Sequence, residues 1–124
     1  HAIHKDLWNK ISGFDESFDP GMGSDPDLNM RLWNEGVRYF KGINDFKVYH
    51  FGSISIRKKK DLITNNGTKQ FLKKWGMSIS FFKKYYLRSM QVFKEPLQEP
   101  DKKIPYYFEL LLCKLKLILF FFQK

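Results

Sequence analysis

The C-terminal segment, residues 104–124, constrains the fold of this 124-residue chain most strongly because it is densely apolar. Four polar positions in and just before it recur every seven residues, at Lys102, Glu109, Lys116 and Gln123, and Lys114 lies outside this series. On a helix this spacing forms one narrow polar stripe. A membrane-spanning helix needs about 20 apolar residues without central charges, whereas Lys114 and Lys116 interrupt this segment. The pattern favours a C-terminal helix that lies in a membrane interface or packs on protein, within the domain or in a homo-oligomer.

Charge is divided unequally between the two parts of the chain. Residues 1–56 contain six basic and eight acidic residues, a net charge of −2, and the remaining 16 basic and five acidic residues give 57–124 a net charge of +11. The basic part therefore suits polyanions or an anionic membrane, and the acidic part is the better place for chemistry. A solvated basic surface is the alternative for any single lysine.

Cysteine content limits the class of protein. The one cysteine, Cys113, excludes a disulfide scaffold and a cysteine-rich zinc site. No apolar leader with a basic start occurs near His1, which predicts no secretion signal and a cytoplasmic location. An apolar fraction of 43% is sufficient for a packed core, so the chain is expected to fold as one domain.

Local signals predict helices and strands in the first part of the chain. Residues 13–24 contain too many Gly and Pro for a helix or a central strand. A helix is expected from Ser24 to Gly36, with Ser24 as the N-cap residue, Asp27 completing a capping box and Gly36 ending it. The β-branched and aromatic residues at 37–40 and 46–51 predict two short strands.

Helical patterns, separated by glycine and proline residues, divide the second part of the chain into two predicted helices and a linker. Phe71, Leu72 and Trp75 share a helix face that stops at Gly76. An amphipathic helix is predicted within residues 77–93, from Ser78 to Met90, and the proline-containing stretch 94–103 is predicted to be a linker.

Several short motifs follow one another in a fixed order. They are Ala2-Ile3-His4-Lys5, Gly13-Phe14-Asp15-Glu16, Ser24-Asp25-Pro26-Asp27-Leu28 with Arg31 and Gly36, Val48-Tyr49-His50, Ser53, and Lys74-Trp75-Gly76. In order and spacing, residues 2–76 resemble the C-terminal, acceptor-side half of a family 2 glycosyltransferase. The resemblance implies an α/β fold: a partial GT-A, Rossmann-like domain with short strands over residues 1–76, followed by a mainly helical tail.

The resemblance also implies a role for several matched residues. Asp25 corresponds to the general base that deprotonates the acceptor hydroxyl, and His50 to the histidine that completes the coordination of Mn²⁺ or Mg²⁺. Residues expected beside the acceptor are Phe14, Asp15, Glu16 and Asp27. From the residues alone, a helix-capping role is the better explanation of Asp27, because the Ser24-x-x-Asp27 box accounts for it fully.

The basic run that follows His50 and Ser53 starts with Arg57 and Lys58. In a complete enzyme it is a candidate to contact the donor diphosphate, and anionic lipid is a second candidate ligand. A solvated loop is the alternative.

The implied activity is inverting transfer of a sugar from a nucleotide-diphosphate sugar to a saccharide or lipid-linked acceptor, in the synthesis of a bacterial surface polysaccharide. The resemblance places the nucleotide-binding half, with its metal-binding D-x-D motif, before residue 1. These 124 residues alone are therefore expected to be inactive. Ser12 and Ser24 depart from the usual family pattern, which has Gly and Glu at these positions.

Two other classes remain open from the residues. The net charge of +11 over 57–124 suits a basic, non-catalytic module that binds anionic membrane or nucleic acid. Helix-turn-helix, aromatic-sheet and zinc patterns are not recognisable in the sequence, which disfavours nucleic acid. The third class is an interaction fragment that self-associates through apolar surface.

Overall fold

The computed structural model describes residues 2–18, 21–42, 66–89 and 91–122. Regular structure in these ranges consists of helices α1 (Lys5–Lys10), α2 (Ser24–Asn34), α3 (Gly67–Trp75), α4 (Ile79–Tyr85) and α5 (Ile104–Phe122), with a 3₁₀ turn at Glu16–Phe18. Helix α2 packs on α4, and α3, α4 and α5 pack on one another.

The predicted α/β, partial GT-A fold is wrong, because all the regular structure in the described ranges is helical. Residues 37–40 have no regular structure, and the second predicted strand, 46–51, lies outside the described residues. The aromatic and cationic side chains of 37–40 pack on α2 instead of pairing in a sheet. Phe40 stacks on Trp33 with ring centroids 6.3 Å apart, and the Arg38 guanidinium lies 3.9 Å from a Trp33 ring centroid.

Helix α2 begins and ends where glycine conformations allow it. Gly23 precedes it with φ 92°, so the N-cap position belongs to Gly23 and Ser24 is the first helical residue. At the other end, the N–H of Gly36 (φ 85°) donates to the carbonyl of Trp33, and the N–H of Val37 donates to that of Leu32. These two bonds form a Schellman motif, which explains why the predicted stop at Gly36 is confirmed.

The two glycines that bound α2 should respond differently to alanine. Both have positive φ, so Gly36→Ala is expected to cost about 1–2 kcal/mol of unfolding free energy from backbone strain alone. At Gly23 a Cβ atom would also lie 2.8 Å from the carbonyl oxygen of Gly67, whereas nothing lies within 4 Å at Gly36. Gly23→Ala should therefore cost about 1–3 kcal/mol more, measured by urea unfolding. Equal losses in the two variants would contradict this packing.

The core lies where α2, α3, α4 and α5 meet. Phe71 of α3 and Phe82 of α4 are fully buried, with ring centroids 6.0 Å apart, and Phe18 of the 3₁₀ turn joins the same cluster. Helix α5 contributes an inner face, on which Tyr106 and Cys113 are buried. The apolar C-terminal segment is therefore partly a core helix.

The opposite side of α5, here called the outer face, is apolar and exposed. None of the helices in the described ranges combines the length and apolar character needed to cross a membrane. Along α5 the exposed apolar positions recur every three or four residues. The outer face consists of Ile104, Tyr107, Phe108, Leu111, Leu112, Leu115, Ile118, Leu119 and Phe122.

Two further segments differ from the sequence-based prediction. Helix α4 ends at Tyr85 instead of Met90, because the chain turns at Arg88, which has φ 46°. The predicted linker 94–103 is irregular but attached. Its Leu97 is buried, the Leu97 N–H donates to the Arg38 carbonyl at 2.9 Å, and Glu99 forms an ion pair with Arg38.

Candidate functional site

Asp27 is a fully buried carboxylate in the first part of α2, with 0% of its surface exposed. The Trp75 Nε1–H donates to its Oδ1 at 2.8 Å, and the Arg31 Nε–H donates to its Oδ2 at 2.9 Å. The Lys74 ammonium lies 2.7 Å from Oδ1. A buried carboxylate is tolerated only when donors and positive charge surround it, and these three side chains provide both.

Lys74 joins Asp27 to the loop that precedes α2. Its ammonium also donates to Asp15 Oδ2 at 2.7 Å, while Asp15 Oδ1 accepts the Ser17 N–H at 3.0 Å. These hydrogen bonds, with that of Lys74 the strongest contributor, hold the pKa of Asp15 well below its usual value. The loop containing Asp15 is thereby fastened to α2 and α3 through one lysine.

Arg31 fastens the end of α1 to the same cluster. Its Nη1–H donates to the Ile11 carbonyl at 2.6 Å, while Nη2 is buried and has no hydrogen-bond partner in the described part of the chain. On α2, Arg31 lies four residues after Asp27 and four residues before Glu35. Arg31 pairs with the buried Asp27 carboxylate, whereas Glu35 pairs with Lys10 at the end of α1.

Neither predicted role of Asp27 agrees with its position. It does not cap α2, whose N-cap position is Gly23 and has no side-chain hydrogen bond. It is also not placed beside an acceptor, because the whole residue is enclosed by protein atoms. Asp27 is instead a buried carboxylate whose contacts with Lys74 and Trp75 connect α2 to α3.

The other described site candidates lie at the surface. Asp25 is exposed in the first turn of α2, two residues before Asp27, and Glu16 is exposed at the start of the 3₁₀ turn. Phe14 is 43% exposed and packs edge-on against Trp8 with ring centroids 5.5 Å apart. Asp15 alone among the predicted acceptor residues is brought to Asp27, through Lys74.

The predicted metal and phosphate ligands, His50, Arg57 and Lys58, lie outside the described residues. Within the described ranges, no group of three or more His, Cys, Asp or Glu residues is arranged to hold a metal ion.

A separate open cleft of about 1280 Å³ lies between the N-terminal segment, the residues after α2 and residues 87–97. Its lining includes Leu7, Tyr39 and Leu97, and none of the predicted site residues that fall in the described ranges contributes to it. The Asp27 cluster and this cleft are therefore different parts of the molecule.

Lys74 and Trp75 are the site residues whose contacts the sequence does not predict. They lie 59 and 48 positions from their partners Asp15 and Asp27. Trp75 is predicted as a core residue because it shares a face with Phe71. Nothing in the neighbouring sequence indicates which residue accepts a hydrogen bond from its indole N–H. Their occurrence in the Lys74-Trp75-Gly76 motif is the one feature that points to them.

The Asp15–Lys74 contact predicts a defined dependence of stability on pH. Because the pKa of Asp15 is lowered in the folded chain, its contribution is complete above the ordinary carboxylate pKa and is lost as the pH falls below about 4. Asp15→Asn should remove this contribution. The variant should therefore lose less unfolding free energy than the parent between about pH 5 and pH 2, the range in which such carboxylates titrate. Thermal unfolding across this range measures it, with Glu16→Asn as the matched surface control. Parallel pH profiles for the parent and Asp15→Asn would contradict the contact.

Comparisons of the chain with protein-family models, curated proteins and solved structures found no match.

Proposed function

We propose that this chain is the acceptor-side part of a glycosyltransferase, which transfers a hexosyl group with inversion from a nucleotide-diphosphate sugar to a saccharide or lipid-linked acceptor. Asp25 is the general base. The complete enzyme would use Mn²⁺ or Mg²⁺ and act in the synthesis of a bacterial surface polysaccharide, in the cytoplasm at the inner face of the cell membrane.

One observation carries the proposal: three of the motif segments meet around the first turn of α2. Lys74 contacts both Asp15 and Asp27, and Trp75 contacts Asp27. These three segments are thus parts of one charge cluster. That cluster fixes the turn on which Asp25 is exposed.

This arrangement suits a general base that must be both accessible and positioned. In the proposed reaction the acceptor O–H bond breaks and its proton passes to the Asp25 carboxylate. The oxygen then bonds to the anomeric carbon of the donor, and the electron pair of the cleaved C–O bond leaves with the nucleoside diphosphate. Proton transfer to a positioned side chain contributes about 10²–10⁴-fold to such a reaction, and the buried Asp27 pairs limit movement of the turn.

A transfer assay tests the proposal. The product of the gene, with whatever coding sequence precedes the codon for His1, is incubated with uridine-, guanosine- or thymidine-diphosphate sugars, Mn²⁺ or Mg²⁺, and saccharide or lipid-linked acceptors. We expect mass spectrometry to detect acceptor extended by one sugar with a subset of donors. The 124-residue chain alone is the matched control and is expected to be inactive. A folded gene product that transfers no sugar from any of these donors would contradict the proposal.

A further inference from the structure

Helix α5 presents a surface that its own fold does not cover. Its inner face is used by the core, through Tyr106 and Cys113, and by Leu110, Leu117 and Phe120 packed against it. The outer face carries large side chains that remain 41% to 85% exposed, and it contains no charged residue over the length of the helix. A helix of this length is about 28 Å long, so the exposed apolar surface is continuous and large.

The polar residues of α5 lie at the borders between its two faces. Lys114 and Lys116 are exposed there, each at a helix position between inner-face and outer-face residues. Glu109 is the acidic residue of α5, and its carboxylate is engaged by the Lys84 ammonium of α4. The neighbouring helix α3 adds Lys69 and Lys73, whose ammonium groups lie 4.8 Å and 5.9 Å from the ring centroids of Phe120 and Phe121.

The positive charge at the borders of the outer face distinguishes between two possible partners, a second copy of the chain and an anionic bilayer. A second copy docked by the same face would bring lysines of one chain towards lysines of the other, while the Glu109 carboxylate is already paired. Like charges across an interface are unfavourable. An anionic bilayer supplies the opposite charge along both borders and hydrocarbon beneath the outer face. Long lysine side chains at such borders reach the headgroups while their alkyl parts stay in apolar surroundings.

We infer that α5 docks the protein on an anionic lipid bilayer, lying parallel to the surface with its outer face in the acyl-chain boundary and Lys114 and Lys116 among the headgroups. The inference rests on the surface of α5 and does not depend on sugar transfer. The proposed docking has a hydrophobic and an electrostatic contribution. Each can be removed by substituting exposed residues of α5, which leaves the core unchanged.

Vesicle flotation tests the inference with the full chain. We expect strong binding to vesicles of equal parts phosphatidylcholine and phosphatidylglycerol and much weaker binding to phosphatidylcholine alone. The double substitution Leu111→Glu/Ile118→Glu should weaken partitioning by at least about 100-fold, because two apolar side chains are replaced by anions. Lys114→Gln and Lys116→Gln should each weaken it about fivefold, and only on the anionic vesicles.

Matched controls separate docking from loss of folding. Val92→Glu places the same charge at a residue that is 83% exposed but outside α5, and it should leave partitioning unchanged within about twofold. Far-UV circular dichroism and the thermal midpoint should be the same for all variants, because the substituted side chains are exposed. A single variant, Leu115→Glu, repeats the test if the double variant is misfolded.

Three results would overturn the inference. The first is undiminished vesicle binding by the folded Leu111→Glu/Ile118→Glu and Leu115→Glu variants. The second is equal binding to neutral and anionic vesicles. The third is a chain that binds neither vesicle but sediments as a dimer that these substitutions dissociate, which would assign the outer face to a second copy.

Discussion

The substitution Asp27→Asn is expected to lower the free energy of unfolding by about 3–5 kcal/mol, because it removes one partner of a buried ion pair. Arg31 is only 17% exposed and would keep its charge beside a neutral amide, and its Nη2 group already has no hydrogen-bond partner in the described ranges. Lys74 would retain Asp15 as a partner. The loss therefore arises mainly at Arg31, and urea unfolding followed by circular dichroism measures it.

Two variants show whether the buried charge is responsible. Asp25→Asn makes the same chemical change two residues earlier, at an exposed position in the first turn of α2, and should lower the unfolding free energy by no more than about 1 kcal/mol. Trp75→Phe removes one hydrogen bond to the Asp27 carboxylate and should cost about 1.5–3 kcal/mol. If Asp27→Asn proves as stable as Asp25→Asn, the cluster does not hold α2 in the way its geometry indicates.

Asp25→Asn is expected to lower the rate of sugar transfer by the gene product about 10²–10⁴-fold, the usual contribution of a general base. The amide has the size of the carboxylate but cannot accept the acceptor proton. The fall should occur in kcat, since the proposed role is in the chemical step, with little change in the KM for the donor. Steady-state kinetics at saturating donor and acceptor measures both quantities.

The same pair of residues provides the control for activity. Asp25→Asn should lose transfer with only a small change in the thermal midpoint. Asp27→Asn should lose stability and, where it remains folded at low temperature, also lose part of its transfer rate, because the turn that carries Asp25 is no longer held by the Asp27 ion pairs. Asp25→Glu retains a carboxylate one methylene further out and should keep part of the activity. A folded Asp25→Asn variant with the parent rate would show that the base lies elsewhere.

Most of the helices in the described ranges can be predicted from the sequence because their signals are local. The spacing of Leu7, Trp8 and Ile11 predicts a short helix, and α1 occupies Lys5–Lys10. Gly36 and Gly76 predict two helix ends, and both have positive φ at those positions. A glycine stop acts through its own backbone and the preceding turn, so distant residues are not needed to interpret it.

The strands and the charge cluster could not be predicted in this way. The β-branched and aromatic composition at 37–40 is compatible with a strand and also with an irregular segment that packs on a tryptophan. The contacts of this segment with Trp33 decide between the two. Asp27 satisfies a capping box locally, yet its partners Lys74 and Trp75 lie on another helix. Local pattern and tertiary contact compete for the same carboxylate, and in the folded chain the tertiary contact prevails.

The sequence by itself determined the helix ends at Gly36 and Gly76, the concentration of positive charge after residue 56, and the apolar character of residues 104–124. These properties depend on neighbouring residues, whose spacing is part of the covalent chain. Only the tertiary structure decided that Asp27 is buried while Asp25 is exposed, and which side of α5 faces away from the core. Burial and ion pairing depend on contacts between residues far apart in sequence, and the packing of α2, α3, α4 and α5 alone brings those residues together.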